Sequence, residues 1–152
     1  MTFAEVVRSV FRNPALVAAA GAWFLAQVLK VPIEYARTGK PNWALLTSAG
    51  GMPSSHAALV WALAVGVGLQ EGFTTSVFAV ALVLALIVSY DAAGIRRAAG
   101  QHANVINQLI EELAHGHPLH EEQLKEILGH SPLEVLAGGL FGVFVGWAIL
   151  RL

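Results

Sequence analysis

Residues 73–90 read FTTSVFAVALVLALIVSY, without one charged side chain from end to end. At 1.5 Å per residue an α-helix of this length covers about 27 Å, close to the hydrocarbon thickness of a bilayer. No period-two alternation marks it as a half-buried strand, so the run predicts a membrane span. On its N-terminal side Gln70-Glu71-Gly72 separates it from a second apolar run, residues 54–69, which opens on serines. So short a separator predicts a tight helical hairpin. Further back, Asn13-Pro14 marks a helix start, and residues 15–29 carry no charge before Lys30, which can snorkel to the headgroups. This first run is expected to stay as an anchor, because no small-residue cleavage site follows it. Toward the C-terminus, residues 133–150 are apolar except Glu134 and end at Arg151.

The expectation is therefore an all-α integral membrane helical bundle, one membrane domain over residues 1–152 with four transmembrane helices at about 14–30, 54–70, 73–91 and 132–150. Composition agrees: of 152 residues 56% are hydrophobic and only 12% charged, and the mean hydropathy is +0.63. A formal net charge of −1 excludes nucleic acid as a partner, since phosphate backbones require a clear cationic surplus on one surface. The chain has no cysteine, which removes disulfides, Cys-based zinc sites and thiol nucleophiles.

Short amphipathic helices are expected at both kinds of boundary. Near the N-terminus Phe3, Val6, Val7, Val10 and Phe11 fall on a different side from Glu5, Arg8 and Arg12, the pattern of an interfacial helix. Residues 97–129 form a polar insertion in which Val105, Leu109, Ile110 and Leu113, then Leu124, Ile127 and Leu128, recur at helical spacing around a break at Gly116-His117-Pro118. Residues 31–53 contain Pro32, Gly39, Pro41, Gly50, Gly51 and Pro53 with Glu34, Arg37 and Lys40, a density of breakers that excludes a continuous helix.

Four spans with a short second link put this loop and the polar insertion on the same membrane face. All candidate chemistry then shares one side. Counting cations would make that side cytoplasmic, but the same cations suit phosphate binding, so the count does not fix the face.

Four groups could act there. Lys30 and Arg37 lie seven residues apart and share a face if the helix continues, as snorkelling cations or as phosphate ligands. Gly50-Gly51-Met52-Pro53-Ser54-Ser55-His56 is a glycine-rich turn running into a helix N-terminus, where N–H groups and the helix dipole favour an anion. Ser54 or Ser55 serves as N-cap in the bland reading, whereas His56 is placed to give a proton to a leaving oxygen. Asp91 with Arg96 and Arg97 forms either a boundary ion pair or a phosphate clamp. Ser131 and Glu134 with Pro132 spell a capping box, and Glu134 one turn after His130 could also hold that imidazole in the tautomer of a nucleophile. His115, His117 and His120 lack the spacing of a metal site and read as exposed loop residues.

These residues resemble the motifs of the type 2 phosphatidic acid phosphatases, which share their active-site plan with bacterial acid phosphatases and vanadium haloperoxidases. That family carries K-x6-R-P, P-S-G-H and S-R-x5-H-x3-D. Lys30 and Arg37 match the first with Thr38 in place of proline, and Pro53-Ser54-Ser55-His56 matches the second with serine in place of glycine. His130 and Glu134 resemble the end of the third, whose arginine would be Arg96 or Arg97, about thirty residues upstream, so that the motif is split by an insertion. The chain looks like the divergent branch of that superfamily.

The resemblance implies that Lys30, Arg37, Ser54, Ser55 and Arg96 or Arg97 hold phosphoryl oxygens, with Asp91 in support. It implies that His130 attacks phosphorus to give a phosphohistidine, that His56 protonates the leaving oxygen and that Glu134 stands where the family has aspartate. No metal and no other cofactor is implied, because cationic side chains take the metal's place. The expected partners are membrane lipids and an anionic lipid-phosphate substrate of the phosphatidic acid, phosphatidylglycerophosphate or isoprenyl phosphate type, in a bacterial plasma membrane. Full members have more spans, which makes a homodimer one way to close the site. The rival expectation is a non-catalytic membrane protein that binds an anionic lipid headgroup.

Overall fold

A computed structural model describes residues 2–48, 50–94, 102, 105–107, 109–110 and 130–151. Its elements are α1 (Phe3–Phe11), α2 (Pro14–Thr38), a short 3-10 helix (Trp43–Leu46), α3 (Ser55–Glu71), α4 (Ser76–Ala93) and α5 (Pro132–Arg151). No strand occurs among the described residues. Of the segment 97–129 only residues 102, 105–107, 109 and 110 are described, and these are helical. The second amphipathic helix expected there, and His115, His117 and His120, lie outside the described residues.

Each helix starts where its cap dictates. Thr2 and Glu5 exchange both bonds of a capping box at the head of α1. Asn13 accepts from the N–H groups of Ala15 and Leu16, at 3.0 and 3.2 Å, with Pro14 in the first turn of α2. Ser54 caps α3 and Thr75 caps α4. The link between α3 and α4 runs from Gly72 to Thr75, a tight hairpin in which Gly72 takes a φ of 99°.

The helix α2 does not stop at Lys30. It crosses Pro32 and ends at Thr38, contrary to the expectation that the breakers after residue 30 exclude a continuous helix. Pro32 only withholds one N–H from the preceding turn, a loss that helices at membrane depth tolerate. The last turn compensates: the Thr38 hydroxyl donates to the Glu34 carbonyl at 2.9 Å, and Gly39, at φ 72°, sends its N–H to the Tyr35 carbonyl.

Three helices, α2, α4 and α5, are long and apolar enough to cross a membrane. The 17-residue α3 is the shortest of the four expected spans and packs on each of the other three. Its buried residues are Ser55, Ala57, Ala58, Val60, Ala62, Ala64, Gly66 and Gly68, nearly all small. The core is inverted relative to a water-soluble protein. Alanines and glycines fill the centre, while Leu25, Val80, Ile87, Leu140 and Phe144 face outward. Such packing brings backbones close and leaves the large apolar side chains for lipid.

The α3–α5 contact is the closest. Gly138, Gly142 and Gly146, four residues apart, lie against Ser54, Ala58 and Ala62 of α3. A Cβ on Gly138 would strike the Ser54 carbonyl, one on Gly142 the Ala58 carbonyl, and one on Gly146 would sit 2.9 Å from the Ala62 Cα. This stripe registers the N-termini of α3 and α5 side by side, and these two ends carry His56 and His130.

Candidate active site

At the head of α5, Ser131 and Glu134 form the expected capping box: Ser131 N donates to Glu134 Oε2 at 3.2 Å, and Glu134 N donates to Ser131 Oγ at 3.3 Å. The same Oε2 lies 3.1 Å from His130 Nδ1. The two readings of Glu134 are therefore not alternatives, since one oxygen both caps the helix and meets the imidazole. An ionised carboxylate can only accept, so Nδ1 is the donor of this contact. His130 is buried, at 2% exposure, which fixes the ring by packing as well as by this bond.

Facing it is the head of α3. Ser54 is the N-cap, its Oγ accepting from Ala57 N at 3.4 Å, and Ser55 is the first helical residue. Both serines are buried. The Ser54 N–H donates to the Glu134 carbonyl at 3.0 Å, tying the two helix starts together. His56 then stands with its ring centroid 6.4 Å from that of His130, the planes inclined by 62°. Two imidazoles, one oriented by a carboxylate, thus meet at a pair of helix N-termini where the dipoles favour negative charge.

Lys30 completes the cluster from α2. It is fully buried, and its Nζ donates to the Ser48 carbonyl at 2.9 Å. Its stem packs under the glycine turn, since a Cβ on Gly51, at φ 91°, would lie 3.7 Å from Lys30 Cδ. The Glu134 carboxylate is near enough to act on the ammonium electrostatically. An ammonium has three donors, so the Ser48 contact leaves capacity for an anion at the same place.

Arg37 stands apart. Two turns beyond Lys30, its side chain is 62% exposed and pairs with Glu34 at 3.6 Å. Asp91 is half-buried at the end of α4. Its neighbour Ala92 clusters with Ala57 and Val135, which places this end of α4 at the same pole as the two histidines. Arg96 and Arg97 lie outside the described residues.

Sequence reasoning missed Gln27. Its Nε2 donates to the carbonyls of Leu45, Leu46 and Ser48 at 3.2, 2.8 and 3.0 Å, strapping the 3-10 helix and the start of the glycine turn onto α2. A polar residue inside an apolar span, one turn before Lys30, was the available signal. Replacing Gln27 with leucine withdraws these bonds from part-buried carbonyls, two of which keep another donor, Ser48 N on Leu45 and Lys30 Nζ on Ser48, a cost of about 1 kcal/mol. The expected result is a lower thermal midpoint in detergent, because the 3-10 helix and the start of the glycine turn lose their strap to α2.

Replacing Glu134 with glutamine separates its two duties. A glutamine at the third helical position still serves a capping box, so the thermal midpoint stays within a degree or two. The amide carries no charge, so the imidazole of His130 loses its ionic partner while the helix keeps its cap.

From Pro132, two residues after His130 in the chain, an apolar cleft of about 320 Å³ opens between α3, α4 and α5, lined by Trp61, Ser89, Pro132, Val135, Leu136 and Leu140 among others. Ser89 accepts from Trp61 Nε1 at 3.1 Å, so the polar groups at this wall satisfy each other.

A helical bundle with an inverted core and three helices fit to cross a membrane, presenting two histidines, a buried lysine and a carboxylate at one pole, is a membrane protein with a polar cluster at one end. The family model described as the divergent PAP2 family matches residues 11–145, and the chain belongs to that family. It is 44% identical over 144 residues to the uncharacterized membrane protein YuiD of Bacillus subtilis (strain 168), covering 88% of this chain and 91% of the relative. No solved structure matches the chain.

Proposed function

We propose that the protein is a metal-independent lipid-phosphate phosphatase that works through a phosphohistidine. One observation carries the reading: His130 Nδ1 meets Glu134 Oε2 at 3.1 Å while the His56 ring lies 6.4 Å away, an arrangement that supplies an oriented nucleophile and a separate proton donor. In this reading His130 Nε2 attacks phosphorus and the bond to the leaving oxygen breaks. His56 gives that oxygen its proton, and water then cleaves the phosphorus–nitrogen bond. Lys30 and the start of α3, with Ser54 and Ser55, stabilise the phosphoryl oxygens.

The substrate class follows from the surroundings. The cleft that begins at Pro132, two residues from His130, is almost wholly apolar and suits a lipid tail at membrane depth. Phosphatidic acid, phosphatidylglycerophosphate and isoprenyl phosphates all pair such a tail with a phosphate, and the membrane would be a bacterial plasma membrane.

Phosphate release by the purified protein in detergent, without added metal, from a panel of these lipids tests the proposal. Release from at least one lipid and not from a water-soluble phosphomonoester is the expected outcome; release from none would favour a headgroup-binding protein.

A further inference from the structure

The helix α1 buries none of its residues, yet it is among the most strongly patterned segments of the chain. At 100° per residue Phe3, Ala4, Val6, Val7, Val10 and Phe11 occupy an arc of about 160°, and Glu5, Arg8, Ser9 and Arg12 the remaining side. Phe3 and Phe11 are 85% and 75% exposed, a cost that water would impose on so short a helix and an acyl phase would not. Its place in the fold supplies that phase. Only Arg12 and Asn13 separate α1 from α2, a helix fit to cross a membrane, so α1 must lie near the bilayer surface.

An apolar cleft of about 570 Å³ joins the end of α1 to the bundle, lined by Val10, Phe11, Leu16, Val17, Leu59 and Leu63 among others. The apolar arc of α1 and the lipid-facing side of α2 and α3 are thus continuous. Charge at this pole points to the kind of lipid. The Gln70 Oε1 accepts from Ala15 N at 3.1 Å, and a second cleft brings Pro14, Gln70 and Arg151 together, so Arg8, Arg12 and Arg151 gather at the end of the bundle away from Lys30. Of the acids there, Glu5 is engaged by the Thr2 N–H at 2.7 Å and Glu71 is the last residue of α3, so the three arginines exceed the two carboxylates.

We propose that α1 is an in-plane anchor that binds anionic phospholipid on the membrane face opposite the His56–His130 cluster, its apolar arc among the acyl chains and Arg8 and Arg12 on headgroup phosphates. The anchor holds the start of α2 at a fixed depth, and it is independent of any chemistry at the other pole.

The absence of cysteine makes the test direct. Single variants Phe3→Cys, Val7→Cys, Val10→Cys and Ser9→Cys in the full chain are spin-labelled and reconstituted into phosphatidylcholine vesicles with or without phosphatidylglycerol. These positions are exposed, so the labels leave the packing intact. The expected result is severalfold greater accessibility to oxygen than to a water-soluble nickel chelate at positions 3, 7 and 10, the reverse at 9, and a larger contrast with phosphatidylglycerol. The added contrast disappears in an Arg8→Gln/Arg12→Gln background. Equal accessibility around the helix, indifference to phosphatidylglycerol, or spin–spin broadening that marks a second copy on this face would overturn the proposal.

Discussion

Substitution of His130 by alanine abolishes phosphate release, by at least about 1,000-fold, while the affinity for a non-hydrolysable lipid phosphonate changes by less than about threefold. The asymmetry follows from the division of labour at the pole. In the proposed reading Lys30, fixed on the Ser48 carbonyl at 2.9 Å, and the start of α3 act on the phosphoryl oxygens whether or not an imidazole is present. The nucleophile has no substitute, because water in the same place would lack the Glu134 contact that orients it. The variant also removes a buried ring, so its thermal midpoint falls by several degrees. Circular dichroism and the phosphonate affinity separate this loss from loss of the site. A phosphonate affinity that collapsed with turnover would assign His130 to headgroup binding.

The second large effect comes from a residue that touches no substrate. Gly142→Val places two methyl groups where α5 meets the Ala58 carbonyl of α3, and backbone, unlike a flexible side chain, cannot turn aside. Helices that must separate to admit them lose the alanine core of Ala22, Ala26, Ala58, Ala62 and Val145, at a cost of about 3 kcal/mol or more. The expected protein has a much lower thermal midpoint in detergent and no measurable phosphate release, since the separation also opens the Ser54–Glu134 backbone bond of 3.0 Å. Phe144→Leu, on the outward face of the same helix at 64% exposure, changes neither property. A stable, active Gly142→Val protein would contradict the close α3–α5 register.

Much of this arrangement was legible in the chain because its signals are local. An uncharged run such as residues 73–90 has few fates other than a buried helix, and Ser131, Pro132 and Glu134 announce a helix start within four positions. The pairing of His130 with Glu134 followed from the spacing of one turn. What stayed hidden was non-local or depended on competition. The extension of α2 through Pro32 turns on a balance between one lost bond and the cap at Thr38 and Gly39, which proline alone does not reveal. Gln27 reaches carbonyls 18 to 21 residues away, and no periodicity encodes such a strap. The spacing of Gly138, Gly142 and Gly146 was visible in the sequence, but its partners lie about eighty residues earlier in α3.

Thr38 and Ser55 bear on how far the divergent branch departs from its superfamily. Threonine at 38 supplies with its hydroxyl part of the rigidity that a proline ring would give, bonding the Glu34 and Lys40 carbonyls at 2.9 and 3.2 Å. Ser55, in place of glycine, is the first residue of α3 and is buried at 1% exposure, so its hydroxyl lies within the packed junction of α3 with its neighbours. Arg37, exposed and paired with Glu34, has to change partner to reach a phosphate at Lys30.

The proposed covalent phosphohistidine at His130 can be trapped by rapid quenching. Protein mixed with a lipid phosphate labelled in the phosphoryl group is denatured in base within the first turnover and digested. Label is expected on the peptide containing His130, stable in base and lost in acid, absent from His130→Ala and accumulating in Glu134→Gln no faster than in the parent. Steady phosphate release without label on any histidine peptide, or label that persists in His130→Ala, would contradict it.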